Sequence, residues 1–135
     1  MSSDPADGGA LLVVEDDPAV REEWAAALRR VGYAVTTAAD GRQALALLRE
    51  GLTPPLIVLD MLTPEVDGWH FLERKRHDPA LAAVPVVITT GLGVASSEWA
   101  ASLGAAGYLR KPVEIDDLLR EVGRCLGGGR PTGPG

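Results

Sequence analysis

The sequence predicts an α/β domain, with a five-stranded parallel sheet covered by helices on both faces. Three observations lead there. Short apolar runs recur along the chain and each stops abruptly. Leu11-Leu12-Val13-Val14 stops at Glu15-Asp16-Asp17, Leu56-Ile57-Val58-Leu59 at Asp60, Pro85-Val86-Val87-Ile88 at Thr89-Thr90, and Gly107-Tyr108-Leu109-Arg110 at Lys111-Pro112. Runs of this length bounded by turns read as strands buried on both faces. Helix-spaced apolar residues fill the intervals, so strand and helix alternate through the chain, the pattern of a parallel sheet. Finally, 135 residues with 46% hydrophobic and 24% charged content describe one ordinary globular domain.

Strand 11–15 leads to a helix over 18–31, with Val20, Trp24, Leu28 and Val31 at helical spacing and Pro18 suited to its first position. Strand 33–38 leads to a helix over 41–49. Asp40 is its N-cap, and Ala44, Leu45 and Leu48 turn inward. Strand 56–60 precedes a helix near 67–77, and strand 85–90 precedes one near 96–103. The small residues of 91–97 predict that this fourth helix is short or mobile, with Trp99 packing it. Strand 107–110 leads to a last helix over 114–126, where Leu118, Val122 and Cys125 or Leu126 repeat on one face. Cys125 reads as a small apolar contact. The first residues, 1–9, read as a loose arm, residues 10–126 as the folded domain, and the Gly/Pro-rich 127–135 as a tail or linker.

No Gly-x-Gly-x-x-Gly follows the first strand, which argues against the dinucleotide-binding strand order. The flavodoxin-like order 2-1-3-4-5 is preferred, and its switch point between strands 1 and 3 places Asp16 beside Asp60. Ligands of open α/β sheets bind at the C-terminal strand ends. Those ends carry carboxylates, hydroxyls and one ammonium. A net charge of −6 disfavours direct binding to nucleic acid or an anionic membrane. One cysteine excludes an internal disulfide and fits a reducing compartment, and no apolar stretch approaches spanning length. A cytoplasmic location is expected.

The three acids after the first strand divide by role. Asp17, just before Pro18, is the natural N-cap, which leaves Glu15 and Asp16 facing Asp60. Clustered carboxylates repel, and one takes a proton unless a cation compensates. Such an oxygen-rich set suits Mg²⁺. The plain alternative is three solvated acids at loop tips.

Four segments decide between these. Leu12-Val13-Val14-Glu15-Asp16-Asp17-Pro18, Leu59-Asp60-Met61-Leu62-Thr63-Pro64-Glu65-Val66-Asp67-Gly68, Pro85-Val86-Val87-Ile88-Thr89-Thr90-Gly91 and Gly107-Tyr108-Leu109-Arg110-Lys111-Pro112 together resemble the receiver domains of response regulators, chemotaxis-regulator-like modules of bacterial two-component signalling. The resemblance covers essentially the whole folded region. It implies that Asp60 is the phosphoacceptor and that Asp16, Glu15, Asp60 and the Leu62 backbone carbonyl hold Mg²⁺. It further implies that Thr90, rather than Thr89, and Lys111 bind the phosphoryl group, and that Thr90 and Tyr108 form the switch. The surface of helix 4, strand 5 and helix 5 would be the output. Lys111-Pro112 resembles the family's Lys-Pro step, often a cis peptide. Gly68 and Gly91 are read as positions of a tight turn or close backbone approach.

The resemblance implies phosphorelay signal transduction, with a histidine kinase or histidine phosphotransfer protein as donor and a downstream protein as partner. The domain would be no enzyme beyond catalysing its own phosphorylation and dephosphorylation. The alternative is a Mg²⁺-dependent aspartyl-nucleophile phosphatase or phosphotransferase. Such enzymes place a second acid two residues after the nucleophile, where this chain has Leu62. Leu62 and Leu92 are apolar where the family often has polar residues. His70 and His77, among the charges of helix 3, read as solvated.

Overall fold

The computed structural model describes residues 9–63, 66–93 and 95–127. Five strands, β1 (Leu11–Val14), β2 (Val35–Ala38), β3 (Ile57–Asp60), β4 (Val86–Thr90) and β5 (Gly107–Arg110), alternate with five helices. These are α1 (Pro18–Arg30), α2 (Gly41–Arg49), α3 (Gly68–Arg76), α4 (Ser97–Ser102) and α5 (Ile115–Cys125). All strand pairs are parallel and the order is β2-β1-β3-β4-β5, the flavodoxin-like arrangement. The calls for the arm 1–9 and the tail 127–135 lie, apart from Gly9 and Gly127, outside the described residues.

Alternation along the strands builds two cores. Leu12, Val14, Ile57, Leu59, Val86 and Ile88 point to the face covered by α2, α3 and α4, where Leu45, Leu48 and Phe71 meet them. Leu11, Val13, Val58 and Val87 point to the other face, against Trp24 and Leu28 of α1 and Leu118 and Val122 of α5. Because both faces are covered, the central strands need apolar residues at every position, which is why they appear as unbroken runs. Asp17, Asp40, Asp67 and Ser96 cap the first four helices through their side chains, each accepting from backbone N–H groups of the first turn. Glu114 stands at the N-cap of α5 without a side-chain bond.

The structure differs from expectation at several ends. Val31 is not an inward residue of α1 but its C-cap, and it is 56% exposed. The chain turns outward there into Gly32, whose φ of 107° is in the region that favours glycine. Strand β2 starts at Val35, after Tyr33 and Ala34. Helix α4 has six residues, as the small-residue segment before it predicts. Cys125 is half-buried against the α1/α5 core, and burial pushes its thiol pKa up.

Candidate functional site

The C-terminal ends of β1, β3 and β4 and the segment after β5 meet at one rim. Glu15 leaves β1 with its amide still bonded to Ala38 O at 3.0 Å, and its side chain is buried. Its Oε2 accepts from the Asp17 amide at 3.0 Å, and Arg21 donates to its backbone carbonyl. Asp17 is committed to α1, since its Oδ1 accepts from Ala19 N at 2.9 Å and Val20 N at 3.3 Å. Asp16 is exposed between them. One carboxylate oxygen from each of Glu15, Asp16 and Asp60 lies within 4.8 Å of the others.

Asp60 ends β3 and is 3% exposed. Its Oδ1 accepts from the Leu62 amide at 3.2 Å, and its Oδ2 from Lys111 Nζ at 3.2 Å. The same ammonium donates to Glu15 Oε1 at 2.8 Å. Lys111 follows β5, its amide bonded to Thr90 O, and the Lys111-Pro112 peptide is cis. The ring of Trp24, from α1, lies 6.0 Å from the ammonium, within cation–π range.

Burial pushes the carboxyls of Asp60 and Glu15 above their ordinary values of 3.8 and 4.5, against the hydrogen bonds that favour their charged forms. Burial also works to lower the Lys111 pKa, but the Glu15 bond and the charges of both carboxylates outweigh it and hold the ammonium above its ordinary value. One cation thus faces two buried carboxylates with Asp16 beside them. The excess negative charge, carried on oxygen ligands, matches what a hard divalent cation requires.

Asp60 and Thr89 are register partners across β3 and β4. Both alternate with residues of the α2–α4 face, so Thr89 shares the side of the sheet on which Asp60 stands. Thr90 is one residue further, at the last position of β4. Its Oγ1 accepts from the Leu92 amide at 3.1 Å. Thr89 Oγ1 is buried with no hydrogen-bond partner among the described residues. A hydroxyl inside an apolar run carries no sequence signal of its own, and Thr89 stood out only as the neighbour of Thr90.

The two glycines part company. A Cβ at Gly68 would come within 2.7 Å of Met61 Cα, so the turn that leaves Asp60 closes only with glycine there. A Cβ at Gly91 would make an ordinary 4.0 Å contact with the Lys111 side chain, so close approach does not require glycine at that position. Leu62 is 53% exposed and Leu92 half-buried. Away from the carboxylates, Arg110 donates to Ala95 O at 2.9 Å and the Tyr108 hydroxyl to the same oxygen at 3.4 Å, so two β5 side chains hold the loop that enters α4. Neither contact was legible from the motifs. His70 and His77 are exposed on or beside α3, bonded to Asp67 and Glu73.

Comparison with known proteins identifies the family and agrees with this fold. The family profile described as the response regulator receiver domain matches residues 11–123. The chain is 36% identical to the DNA-binding dual master transcriptional regulator RpaA of Synechocystis over 86% of its own length and 48% of that protein. It is 29% identical to Protein PilH of Pseudomonas aeruginosa over 87% of its own length and 98% of that protein. Among solved structures, the chemotaxis response regulator CheY4 of Vibrio cholerae superposes with a TM-score of 0.77 at 30% identity, covering 87% of this chain and 98% of that one. The receiver domain of NtrX from Brucella abortus gives 0.76 at 29%, covering 86% and 97%. The chain spans about half the length of RpaA and similar curated relatives.

Proposed function

Because the chain belongs to the response regulator receiver family of two-component signalling, we propose that Asp60 is its phosphoacceptor and that the surrounding rim is the phosphoryl-transfer site. As a receiver it is a signalling module rather than a classical enzyme, and receivers of response regulators interact with histidine kinases. The observation that carries the finer reading is the Lys111 ammonium, 3.2 Å from Asp60 Oδ2 in a cluster of three carboxylates.

An Asp60 carboxylate oxygen attacks phosphorus. The P–N bond of a phosphohistidine donor breaks, and the imidazole leaves with a proton from solvent, yielding an acyl phosphate. Catalysis of this step consists of positioning and charge neutralisation. Lys111 pairs with one phosphoryl oxygen and the Thr90 hydroxyl donates to another. Asp16, Glu15, Asp60 and the Leu62 carbonyl would hold Mg²⁺, which when bound supplies the remaining neutralisation of the phosphoryl oxygens. Both self-phosphorylation and self-dephosphorylation belong to this reading. The phosphoryl group carries close to two negative charges where the carboxylate carried one, and this change biases Tyr108 and the α4–β5–α5 surface between two packings, to which a downstream protein responds. The receiver unit is taken as residues 10–126, with 1–9 an arm and 127–135 a tail or linker.

The test is intact-mass measurement after incubation with Mg²⁺ and acetyl phosphate. One added phosphoryl group is expected, and none on Asp60→Asn. Undiminished labelling of that variant would overturn the assignment.

A further inference from the structure

The rim uses none of α3's charges, and a second cleft lies beside them. It has a volume of about 310 Å³ and runs between α3 and the C-terminal end of α4, with Trp69, Leu72, Glu73, Lys75 and Arg76 on one side and Leu103 on the other. Lys75 is only 7% exposed. Its ammonium donates to Ala82 O at 2.9 Å, and no carboxylate of the described residues pairs with it. A buried ammonium has three donors and strongly prefers an anionic partner. Burial accordingly pushes its pKa down.

The surroundings specify what kind of anion. Helix α3 carries Arg74, Lys75 and Arg76 against the single acid Glu73, and Glu73 is already engaged by Arg76 and His77. The last turn of this helix is cationic on a chain with a net charge of −6, and Lys75 and Arg76 are its members that line the cleft. Acidic groups are favoured at such a local excess of cations. The cleft is also apolar. Trp69 is 38% exposed, its ring edge-to-face with Trp99 of α4 at 6.2 Å, and Leu72 and Leu103 continue the wall. Rigid aromatic edges beside a pocket are the usual anchors of protein interfaces.

We propose that this α3–α4 cleft docks an acidic segment of a partner protein, seating an aliphatic or aromatic side chain against Trp69 and Leu72 and a carboxylate against Lys75 and Arg76. Its two walls lead to the phosphoryl-transfer site by different routes. Trp69 follows Gly68, which packs on Met61 beside Asp60, and α4 follows the loop that leaves Thr90.

The test uses the full chain without phosphorylation, so its result does not depend on the role of Asp60. The peptide acetyl-Glu-Asp-Leu-Phe-Asp-Glu-amide is titrated while NMR follows the Trp69 indole and the backbone amides of 69–76 and 102–104. These signals are expected to move together. Replacing the peptide's acids by serine, or its Leu-Phe by Gly-Gly, should weaken binding about tenfold or more. Arg76→Glu and Trp69→Ala should each do the same, and because both side chains are exposed the variants keep the fold, checked by circular dichroism. Unmoved cleft signals at millimolar peptide, or unchanged affinity in both variants, would overturn the proposal. So would acetate alone producing the same shifts at the same concentration, or sedimentation showing that a second copy of the chain covers the cleft.

Discussion

Lys111 Nζ stands closer to Glu15, at 2.8 Å, than to Asp60, at 3.2 Å. The ammonium is thus held on the β1 side of the rim, and Asp60 shares it rather than owning it. Replacing Lys111 by Met leaves two buried carboxylates without a cation. At neutral pH and with a chelator present, stability is expected to fall by about 1–3 kcal/mol, less than for a fully buried pair because the rim is partly open. The loss should shrink in acid. Both carboxyls have folded-state values raised above 3.8 and 4.5, so the stability they contribute is complete below those values and is lost as pH rises through the raised ones. Urea midpoints of wild type and variant between pH 4 and 8 check this. A pH-independent difference would show that Lys111 does not offset the carboxylate charge.

Asp16 and Asp17 are adjacent in sequence but have different partners. Asp17 is bonded to the first turn of α1, whereas Asp16 is free to face the cluster. Asp16→Ala should abolish Mg²⁺ binding in a titration, and Asp17→Ala should mainly cost about 0.5–2 kcal/mol of stability. The reverse ranking would move the ligand by one residue.

Thr89 offers a test that separates the two hydroxyls. Thr89→Val replaces a buried hydroxyl that has no partner among the described residues by a methyl of the same shape, and should leave stability unchanged or raise it by up to about 1 kcal/mol. Phosphorylation by acetyl phosphate should be little affected, whereas Thr90→Ala should slow it. Slowing by the Thr89 change alone would transfer the phosphoryl-binding role to the hydroxyl on Asp60's own face.

The lifetime of the acyl phosphate is the fourth expectation. The amides of Leu62 and Leu92 are tied to Asp60 and Thr90, so both residues stand beside the rim. Neither side chain can hydrogen-bond an incoming water. Leu62→Asn with Leu92→Glu should shorten the phosphorylated lifetime about tenfold or more, since ordering a reactant by about 1.4 kcal/mol has that effect. Decay after donor removal, with Mg²⁺ present, is the measurement. Equal rates would show that these positions do not control water.

What the sequence disclosed follows from the range of each interaction. The strands were legible because burial on both faces writes itself as runs such as Leu56–Leu59. Asp16 and Asp60 could be brought together because strand order alone determines which ends are neighbours. Asp17 was separable from Asp16 because a cap is a local event beside Pro18. Side-chain reach was a different matter. The bond from Lys111 to Glu15 spans 96 positions, and the contact of Trp24 with that ammonium depends on how α1 sits on the sheet. Nothing in the charge run from Glu73 to Arg76 marks Lys75 as buried; its burial and its bond to Ala82 O come from tertiary packing. Val31 erred in the opposite direction, because helical spacing does not register where the helix stops.

The Ala95 carbonyl accepts from both Tyr108 and Arg110, and its two bonds are unequal. The guanidinium bond is charge-assisted at 2.9 Å, and the hydroxyl bond is long at 3.4 Å. If the Tyr108 ring swings away, the carbonyl keeps its stronger donor and no buried acceptor is orphaned. In hydrogen bonding the ring then gives up only a weak contact, well under the roughly 1 kcal/mol of an average protein hydrogen bond. In the proposed switch Arg110 would therefore work as ballast, keeping the loop anchored in either ring position, so that hydrogen bonding adds little to the difference between them.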